Sequence, residues 1–277
     1  MLFNFRFPKH GYFGILFILV CWPLNWILPG LRTHILFFPL WLGYVLVVDA
    51  MVYARTKESI LTKSFRNFAL MFLLSAPTWW LFELFNLRTE NWQYLGRELF
   101  SDFEYGFYTT LNFSIVIPAV LSTASLINSF KWPHHFKNSA KIAITRKKII
   151  FLFILGFTML GLLLTWPTYF YPFIWSGLLF LLEPINYLRG KKSLLSRVKQ
   201  GDWSVVIMLF AGTLICGFFW ELWNFYSYPK WIYNTPFVNY WHIFEMPLLG
   251  YLGYLPFGLE LYALYHLIMP KKFELTI

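Results

Sequence analysis

The feature that most constrains the fold of this 277-residue chain is a series of long apolar runs. A helix that crosses the hydrocarbon core of a bilayer needs about 20 residues, mostly apolar. Runs of about this length fall near residues 11–29, 34–53, 67–87, 105–128, 149–166, 169–188, 204–226 and 241–268. Only 13% of the chain is charged, against about 25% for a soluble domain. The sequence therefore predicts an all-α integral membrane protein with eight transmembrane helices.

The net charge of +10 is best explained as a topology signal. If the N-terminus is cytoplasmic, nineteen of the 23 Lys and Arg residues fall in segments that face the cytoplasm. This bias follows the positive-inside rule and predicts that both chain ends are cytoplasmic. We expect contacts with anionic membrane lipids and none with nucleic acid. The expected location is a bacterial inner (cytoplasmic) membrane, crossed many times.

Two halves of the chain resemble each other. Residues 43–61 match residues 177–195 without a gap, and residues 80–94 match residues 218–233 with a short gap in the loop. An even number of helices in each half makes the repeat parallel, with its axis along the membrane normal. Pockets in such folds tend to lie between the halves.

The repeat predicts three regions. The first four-helix repeat spans 1–129, a basic cytoplasmic linker spans 130–148, and the second four-helix repeat spans 149–277.

Each half places a glutamate inside a predicted membrane helix. Glu83 and Glu221 lie near the outer ends of the third and seventh helices, and Asn86 and Asn224 follow each at i+3, on the same helix face. An ionisable residue at membrane depth is a functional-site hypothesis by default. Because removal from water disfavours the charged form of a carboxyl group, we expect neutral acids that are ready to donate a proton. The two asparagines are expected to orient the acids by hydrogen bonding.

Four other acids lie in or near the apolar runs. Glu245 is predicted to begin the eighth helix at the depth of Glu221, with Glu260 about 22 Å deeper along that helix unless prolines and glycines break it. Glu260 has no acidic counterpart in the first half, so we expect the second half to carry the proton chemistry. Asp49 and Glu183 lie near cytoplasmic helix ends, where an ion pair or a loop cap is the favoured interpretation.

Aromatic residues surround the glutamates, and their faces can stabilise a passing cation. The predicted substrate-binding wall consists of Trp220, Trp223, Trp231, Tyr233, Trp80, Trp92 and Tyr94. Glu221 is the predicted leading acid, with Glu245 and Glu83 as partner base or second acid. The alternative interpretation is that the glutamates join helices by hydrogen bonds and that the tryptophans form an interfacial belt. We expect no metal and no cofactor, with a site at His242 as a minor alternative.

Residues 219–260 combine several short motifs of one known family. An acid follows Trp at a helix end in Trp220-Glu221, a Trp-x-Tyr loop follows at 231–233, and a Pro- and Gly-rich segment leads to Glu260. This stretch resembles the lycopene cyclase domain of bacteria, archaea and fungi. The Trp-Glu pair also resembles that of the integral-membrane terpene cyclases of fungal meroterpenoid pathways. Where the first family has paired acids after proline, this chain has the single Glu260.

The resemblance implies an activity and a substrate class. Both families cyclise isoprenoids by protonation, without a metal or loss of diphosphate. It implies a lycopene cyclase-like intramolecular lyase or isomerase in carotenoid or terpenoid biosynthesis. The leading hypothesis is a membrane enzyme that protonates a lipid-soluble isoprenoid or polyene, giving cyclisation, isomerisation or hydration. The alternatives are a proton-coupled transporter or lipid-handling protein, and a non-catalytic membrane scaffold.

Overall fold

The computed structural model describes residues 7–30 and 33–273 and is mostly helical. Arg6 and Arg32, which enter the charge argument above, lie outside the described residues. The helices are α1 (Lys9–Ile27), α2 (Thr33–Thr56), α3 (Ile60–Lys63), α4 (Phe65–Thr89), α5 (Asp102–Phe113), α6 (Val116–Asn128), α7 (Arg146–Thr165), α8 (Pro167–Phe170), α9 (Leu179–Leu188), α10 (Leu194–Gln200), α11 (Ser204–Phe225) and α12 (Tyr254–Ile268). The strands are β1 (Trp92–Leu95), β2 (Lys230–Tyr233), β3 (His242–Ile243) and β4 (Met246–Pro247).

Six helical segments are long and apolar enough to cross a membrane. They are Lys9–Ile27, His34–Thr56, Phe65–Thr89, Asp102–Asn128, Arg146–Thr165 and Ser204–Phe225. The chain is thus a mostly helical, multi-pass membrane protein, as predicted. These six coincide with six of the eight predicted spans.

The two remaining predicted spans, 169–188 and 241–268, are not continuous helices. In the first, only α9 is a regular helix, and its ten residues rise about 15 Å. In the second, α12 has fifteen residues and rises about 22 Å. The prediction that Glu245 begins a helix is wrong, because residues 242–247 form the hairpin β3–β4 and α12 begins at Tyr254. Pro256 then lies in the first turn of α12, where a missing N–H costs little.

The fourth predicted helix is interrupted where α5 meets α6. Pro118 lies in the first turn of α6 and has no N–H to continue the ladder of α5. Ser75 of α4 bridges the break: its hydroxyl donates to the Phe113 carbonyl (2.6 Å) and accepts from the Ile117 N–H (3.0 Å). A neighbouring helix thus satisfies the polar groups that the break frees, as helix breaks at membrane depth require.

The same helix packing recurs in the two halves. In the first half α1 packs on α2, and α6 packs on both α2 and α4; in the second, α7 packs on α9, and α12 packs on both α9 and α11. A methyl group on Gly14 would lie 2.6 Å from the carbonyl oxygen of Gly43, and one on Gly156 would lie 3.1 Å from that of Gly177. Glycine at these positions lets the backbones of each leading helix pair approach closely.

Asp49 and Glu183 have matching structural contacts. The Asp49 carboxylate accepts from the Ser59 hydroxyl (2.6 Å) and the Leu61 N–H (3.1 Å). Glu183 accepts from the Leu195 N–H (3.1 Å). Each acid therefore satisfies a free N–H at the start of the short helix that follows it, α3 or α10, which is the loop-capping role that the sequence favoured.

Candidate functional site

The two Trp-x-Tyr loops meet in an antiparallel ladder between β1 and β2. Trp92 pairs with Tyr233, and Tyr94 pairs with Trp231. Because Trp92 matches Trp231 and Tyr94 matches Tyr233 in the sequence repeat, a local two-fold axis relates the two strands. The axis passes through the pair formed by Gln93 and Ile232. The ladder brings the aromatic side chains of both loops to one face.

Glu83 accepts three hydrogen bonds on a single oxygen. Its Oε1 receives the indole N–H of Trp79 (2.8 Å), the indole N–H of Trp92 (2.9 Å) and the hydroxyl of Tyr94 (2.5 Å). Glu83 itself is half-buried near the C-terminal end of α4. Its carboxyl group therefore fixes three aromatic side chains, two of which come from β1.

Glu221 is fully buried in α11 and bonds to two tyrosines. Its Oε1 accepts from the hydroxyls of Tyr233 and Tyr254, both at 2.7 Å. The Trp231 indole N–H donates in turn to the Tyr233 hydroxyl (2.9 Å). The second oxygen, Oε2, has no hydrogen-bond partner among the described residues.

A glycine explains how Tyr254 reaches Glu221. At the repeat position where α4 has Trp79, α11 has Gly217. A methyl group at Gly217 would lie only 2.5 Å from the Tyr254 ring, so the missing side chain makes room for this tyrosine. Tyr254 of α12 thus supplies to Glu221 the donor that Trp79 supplies to Glu83.

The two asparagines hold the loops rather than the acids. Asn86 donates to the Trp92 carbonyl (2.9 Å) and accepts from the N–H groups of Asn91 (2.9 Å) and Trp92 (3.3 Å). Asn224 makes the same pair of bonds to the backbone of Trp231, at 2.7 and 2.9 Å. The prediction that the asparagines orient the glutamates directly is wrong, because their amides are bonded to the β1 and β2 backbone. They act by placing the Trp-x-Tyr loops over the acids.

A cavity of about 460 Å³ lies beneath the ladder, between elements of both halves. Five of the seven residues of the predicted wall line it, namely Trp92, Tyr94, Trp220, Trp231 and Tyr233. The remaining lining is largely aromatic: Trp175 stacks on Trp92 with ring centroids 5.8 Å apart, and Phe257 meets Trp79 edge-on at 5.8 Å. Its volume and apolar character are those of a small-molecule site.

Neither glutamate lines this cavity directly. The side chains that do line it include Trp79, Trp92 and Tyr94 on the Glu83 side and Tyr233 and Tyr254 on the Glu221 side. Both acids therefore stand one layer behind the surface that a ligand touches. A proton that passes between Glu221 and a ligand would have to pass through a tyrosine hydroxyl.

The tyrosine hydroxyls of the ladder remain proton donors over a wide range of pH. Burial, reinforced by the adjacent Glu83 carboxylate, raises the pKa of Tyr94 well above its usual range. Burial and the neighbouring Glu221 likewise raise the pKa of Tyr233 well above its usual range. Each phenol thus keeps its proton and directs it toward a glutamate.

Two residues of the predicted wall face elsewhere. The Trp80 indole donates to the Thr110 hydroxyl (3.0 Å) on the outside of the helix bundle. Trp223 is almost fully buried against Trp41, with ring centroids 4.8 Å apart. Its carbonyl accepts from the Asn25 side chain (3.3 Å) of α1. Both therefore pack helices and do not contact the cavity.

The other predicted acids lie apart from the two glutamate clusters. Glu245, in the turn of β3–β4, forms an ion pair with Lys230, which lines the cavity. Glu260 is buried and accepts from the Leu179 N–H (3.1 Å), so it caps the N-terminus of α9. The His242 imidazole contacts the Asn239 side chain (3.0 Å). Within residues 7–30 and 33–273, no group of three or more His, Cys, Asp and Glu side chains is placed to hold a metal ion.

Sequence reasoning missed several cavity residues. Tyr254, Trp175 and Phe257 come from segments that read as ordinary apolar helix, and Asn91 and Thr235 come from loops. Only Tyr254 left a signal in the sequence, through the glycine that replaces Trp79 in the second half. In the comparisons with known proteins, no family model, curated protein or solved structure matches the chain.

Proposed function

We propose that this protein is an integral membrane enzyme that protonates a lipid-soluble isoprenoid or polyene. The observation that carries the proposal is the link from a fully buried Glu221, through two tyrosine hydroxyls, to an aromatic cavity. The reaction is a cyclisation, an isomerisation or a hydration, in the manner of a lycopene cyclase-like intramolecular lyase or isomerase.

In the proposed step, Glu221 holds the proton and Tyr254 relays it. When a double bond lies against it, the Tyr254 hydroxyl turns its proton from Glu221 Oε1 toward the double bond. The carboxylic acid then gives its proton to the phenol oxygen while the phenol gives its own proton to one carbon of the double bond. The other carbon becomes a carbocation, Glu221 becomes a carboxylate, and Tyr254 remains neutral. A buried carboxylic acid is suited to this role because its ionised form lacks solvation.

The carbocation would be stabilised by aromatic faces. Trp220 lies nearly parallel to Tyr254, with ring centroids 6.0 Å apart and an angle of 25°. Trp231 and Trp92 line the cavity on the side of the ladder. Aromatic rings attract a desolvated cation by about 2 kcal/mol or more each. An apolar aromatic lining of this kind excludes water from the carbocation until the reaction is complete.

Glu83 is the proposed base. The cation loses a proton from a neighbouring carbon to the Tyr94 oxygen while the Tyr94 hydroxyl proton passes to Glu83. Three donors on Glu83 Oε1 stabilise the negative charge that it holds before this step. Because Glu83 is only half-buried, it releases its extra proton to water after each turnover. The buried Glu221 regains a proton through the Tyr254 hydroxyl, from water that enters the cavity when the product leaves. Asn86 and Asn224 position the loops, and Glu245 and Glu260 have structural roles.

We further infer that the chain crosses a bacterial inner membrane as eight segments in two parallel four-helix repeats, with both ends cytoplasmic. The matched helix packing of the two halves supports this arrangement. The two-fold register of the β1–β2 ladder supports it independently. In this arrangement α9 and α12 are the shorter sixth and eighth segments, and the cavity opens toward the outer side.

The test is a comparison of lipids from cells of the native host that express either the wild type or Glu221→Gln. Untargeted mass spectrometry should show a product that the variant lacks, either with changed retention at unchanged mass or with the mass of one added water. Glu58→Gln, which alters only an exposed ion pair with Lys63, serves as the matched control and should leave the product in place. Identical extracts from wild type and Glu221→Gln at equal expression would contradict the proposal.

A further inference from the structure

Three buried polar atoms in the wall of the cavity lack a hydrogen-bond partner among the described residues: Asn112 Oδ1 in α5, and Asn91 Oδ1 and Thr235 Oγ1 in the loops beside the ladder. Asn91 is 4% exposed and Thr235 is 7% exposed. A buried polar group without a partner costs about 1–3 kcal/mol. Asn91 and Thr235 lie at the same end of the ladder, so their two free groups point to one ligand group that satisfies both.

The contacts of Asn91 fix which of its side-chain atoms lacks a partner. Its Nδ2 donates to the Asn234 carbonyl (3.2 Å), and its backbone carbonyl accepts from the Asn234 N–H (2.8 Å). Rotating the amide would lose the first of these bonds, so Oδ1 remains the free acceptor. Asn234 directly precedes Thr235, which places the second free group at the same end of the ladder.

Thr235 is held in place from the other side. Tyr171 also belongs to the cavity wall, and its hydroxyl donates to the carbonyl of Pro236 (3.1 Å). The backbone on both sides of Thr235 is thus anchored, by Asn91 and by Tyr171. Its hydroxyl is free both to donate and to accept.

The charged groups of the wall are already paired. Arg97 forms an ion pair with Asp102, and Lys230 forms one with Glu245. The groups of the wall that lack a partner among the described residues are therefore neutral, namely two amide oxygens and a hydroxyl. This favours a neutral polar group on the ligand over an anionic one.

We propose that the ligand of this cavity is an isoprenoid alcohol whose hydroxyl group donates to Asn91 Oδ1 and accepts from the Thr235 hydroxyl. The isoprenoid part of the ligand rests on the proposed function, and its hydroxyl group rests on Asn91 and Thr235. The cavity volume of about 460 Å³ lies within the range of about 300–1,000 Å³ that small-molecule sites occupy. A C15 alcohol fits this volume, with its double bonds in the aromatic part of the cavity.

The test compares two C15 probes, farnesol and the hydrocarbon farnesene, by their effect on the thermal unfolding midpoint of the full-length protein in one detergent. A ligand that binds only the folded state raises the midpoint. Farnesol should raise it more than farnesene in the wild type. In Thr235→Val, which keeps the shape and removes the free hydroxyl, the shift with farnesol should fall to that with farnesene. Both probes are added to the same mole fraction within the micelles, so that unequal partitioning into detergent does not produce the difference between their shifts.

Thr78→Val provides the matched control. Thr78 is also buried and lies outside the cavity wall. Its hydroxyl donates to the Leu74 carbonyl of its own helix (2.8 Å). This variant should keep the preference for farnesol.

Three results would overturn the assignment. Equal shifts with farnesol and farnesene in the wild type would show that the site does not recognise a hydroxyl group, and would leave the proposed function intact. A larger shift with farnesyl monophosphate, lost on neutralising Arg97 or Lys230, would replace the hydroxyl by an anion. No shift with any C15 probe would refute both the assignment of an alcohol and the proposal that the cavity binds an isoprenoid. None of these results depends on turnover, so each is separate from the Glu221→Gln comparison.

Discussion

At the scale of single residues, the site depends on side chains that hold other side chains. Glu83 and Glu221 do not touch the cavity, yet each fixes the aromatic groups that line it. Asn86 and Asn224 act one step further back, through the backbone of the loops. The duplicated Glu-x-x-Asn pattern therefore indicates a pair of acids together with the two asparagines that position the Trp-x-Tyr loops.

The most specific residue-level prediction concerns Gly217. In Gly217→Ala the new methyl group would lie 2.5 Å from the Tyr254 ring, so the ring must move away from Glu221. Overpacking of this kind costs about 1–3 kcal/mol in the free energy of unfolding. Denaturation in mixed micelles should show this loss, and product formation should fall with it.

A second glycine gives the control. A methyl group at Gly161 in α7 would meet nothing within 4 Å. Gly161→Ala should therefore be neutral or more stable by up to about 1 kcal/mol, since alanine favours helix. Equal effects of the two substitutions would show that Tyr254 does not depend on the space at Gly217.

At the scale of elements, the sequence predicted the long helices well and the short ones poorly. Hydropathy and length suffice for six spans because five are continuous apolar helices and the sixth, Asp102–Asn128, has only the short break between α5 and α6. The segments 169–188 and 241–268 are also apolar, but Pro172, Gly177 and Pro247 interrupt them. Hydropathy does not record such breaks, and the partners that satisfy the freed backbone groups come from distant parts of the chain. The same reason hides Tyr254, whose contact with Glu221 depends on how α12 packs against α11.

The break between α5 and α6 gives a prediction at this scale. Ser75→Ala removes the hydroxyl that bridges the Phe113 carbonyl and the Ile117 N–H, leaving both unsatisfied. We expect a loss of about 1–3 kcal/mol in the free energy of unfolding. The matched control is Ser122→Ala in α6, because the buried Ser122 hydroxyl has no hydrogen-bond partner in the portion of the chain that the structure covers. A loss from Ser122→Ala as large as that from Ser75→Ala would refute the bridging role.

At the scale of the whole molecule, the two halves are alike in packing and unlike in chemistry. Glu221 is fully buried with two tyrosine donors, whereas Glu83 is half-buried with two tryptophans and one tyrosine. Two carboxyl groups lie near one cavity, and in the proposed mechanism the difference in their surroundings separates the proton donor from the acceptor. The sequence revealed the duplication but not this difference, which arises from tertiary contacts.

The membrane topology gives a prediction for the intact protein. Single cysteines introduced in the loop 88–104 and in the linker 130–148 should react with an impermeant reagent from opposite sides of the membrane. The native Cys21 and Cys216 are both buried and should not react with the reagent. Labelling of both positions from one side would contradict the proposed arrangement of spans.

The most direct test of the central claim is deuterium incorporation during turnover in heavy water. If Glu221 delivers a solvent-derived proton to a double bond, the product of the wild type should carry one deuterium on the protonated carbon, located by mass spectrometry. Glu221→Gln should form no deuterated product, and Tyr233→Phe combined with Tyr254→Phe should abolish it as well. A product that forms without deuterium, or that the Glu221→Gln protein labels as fast as the wild type, would contradict the account.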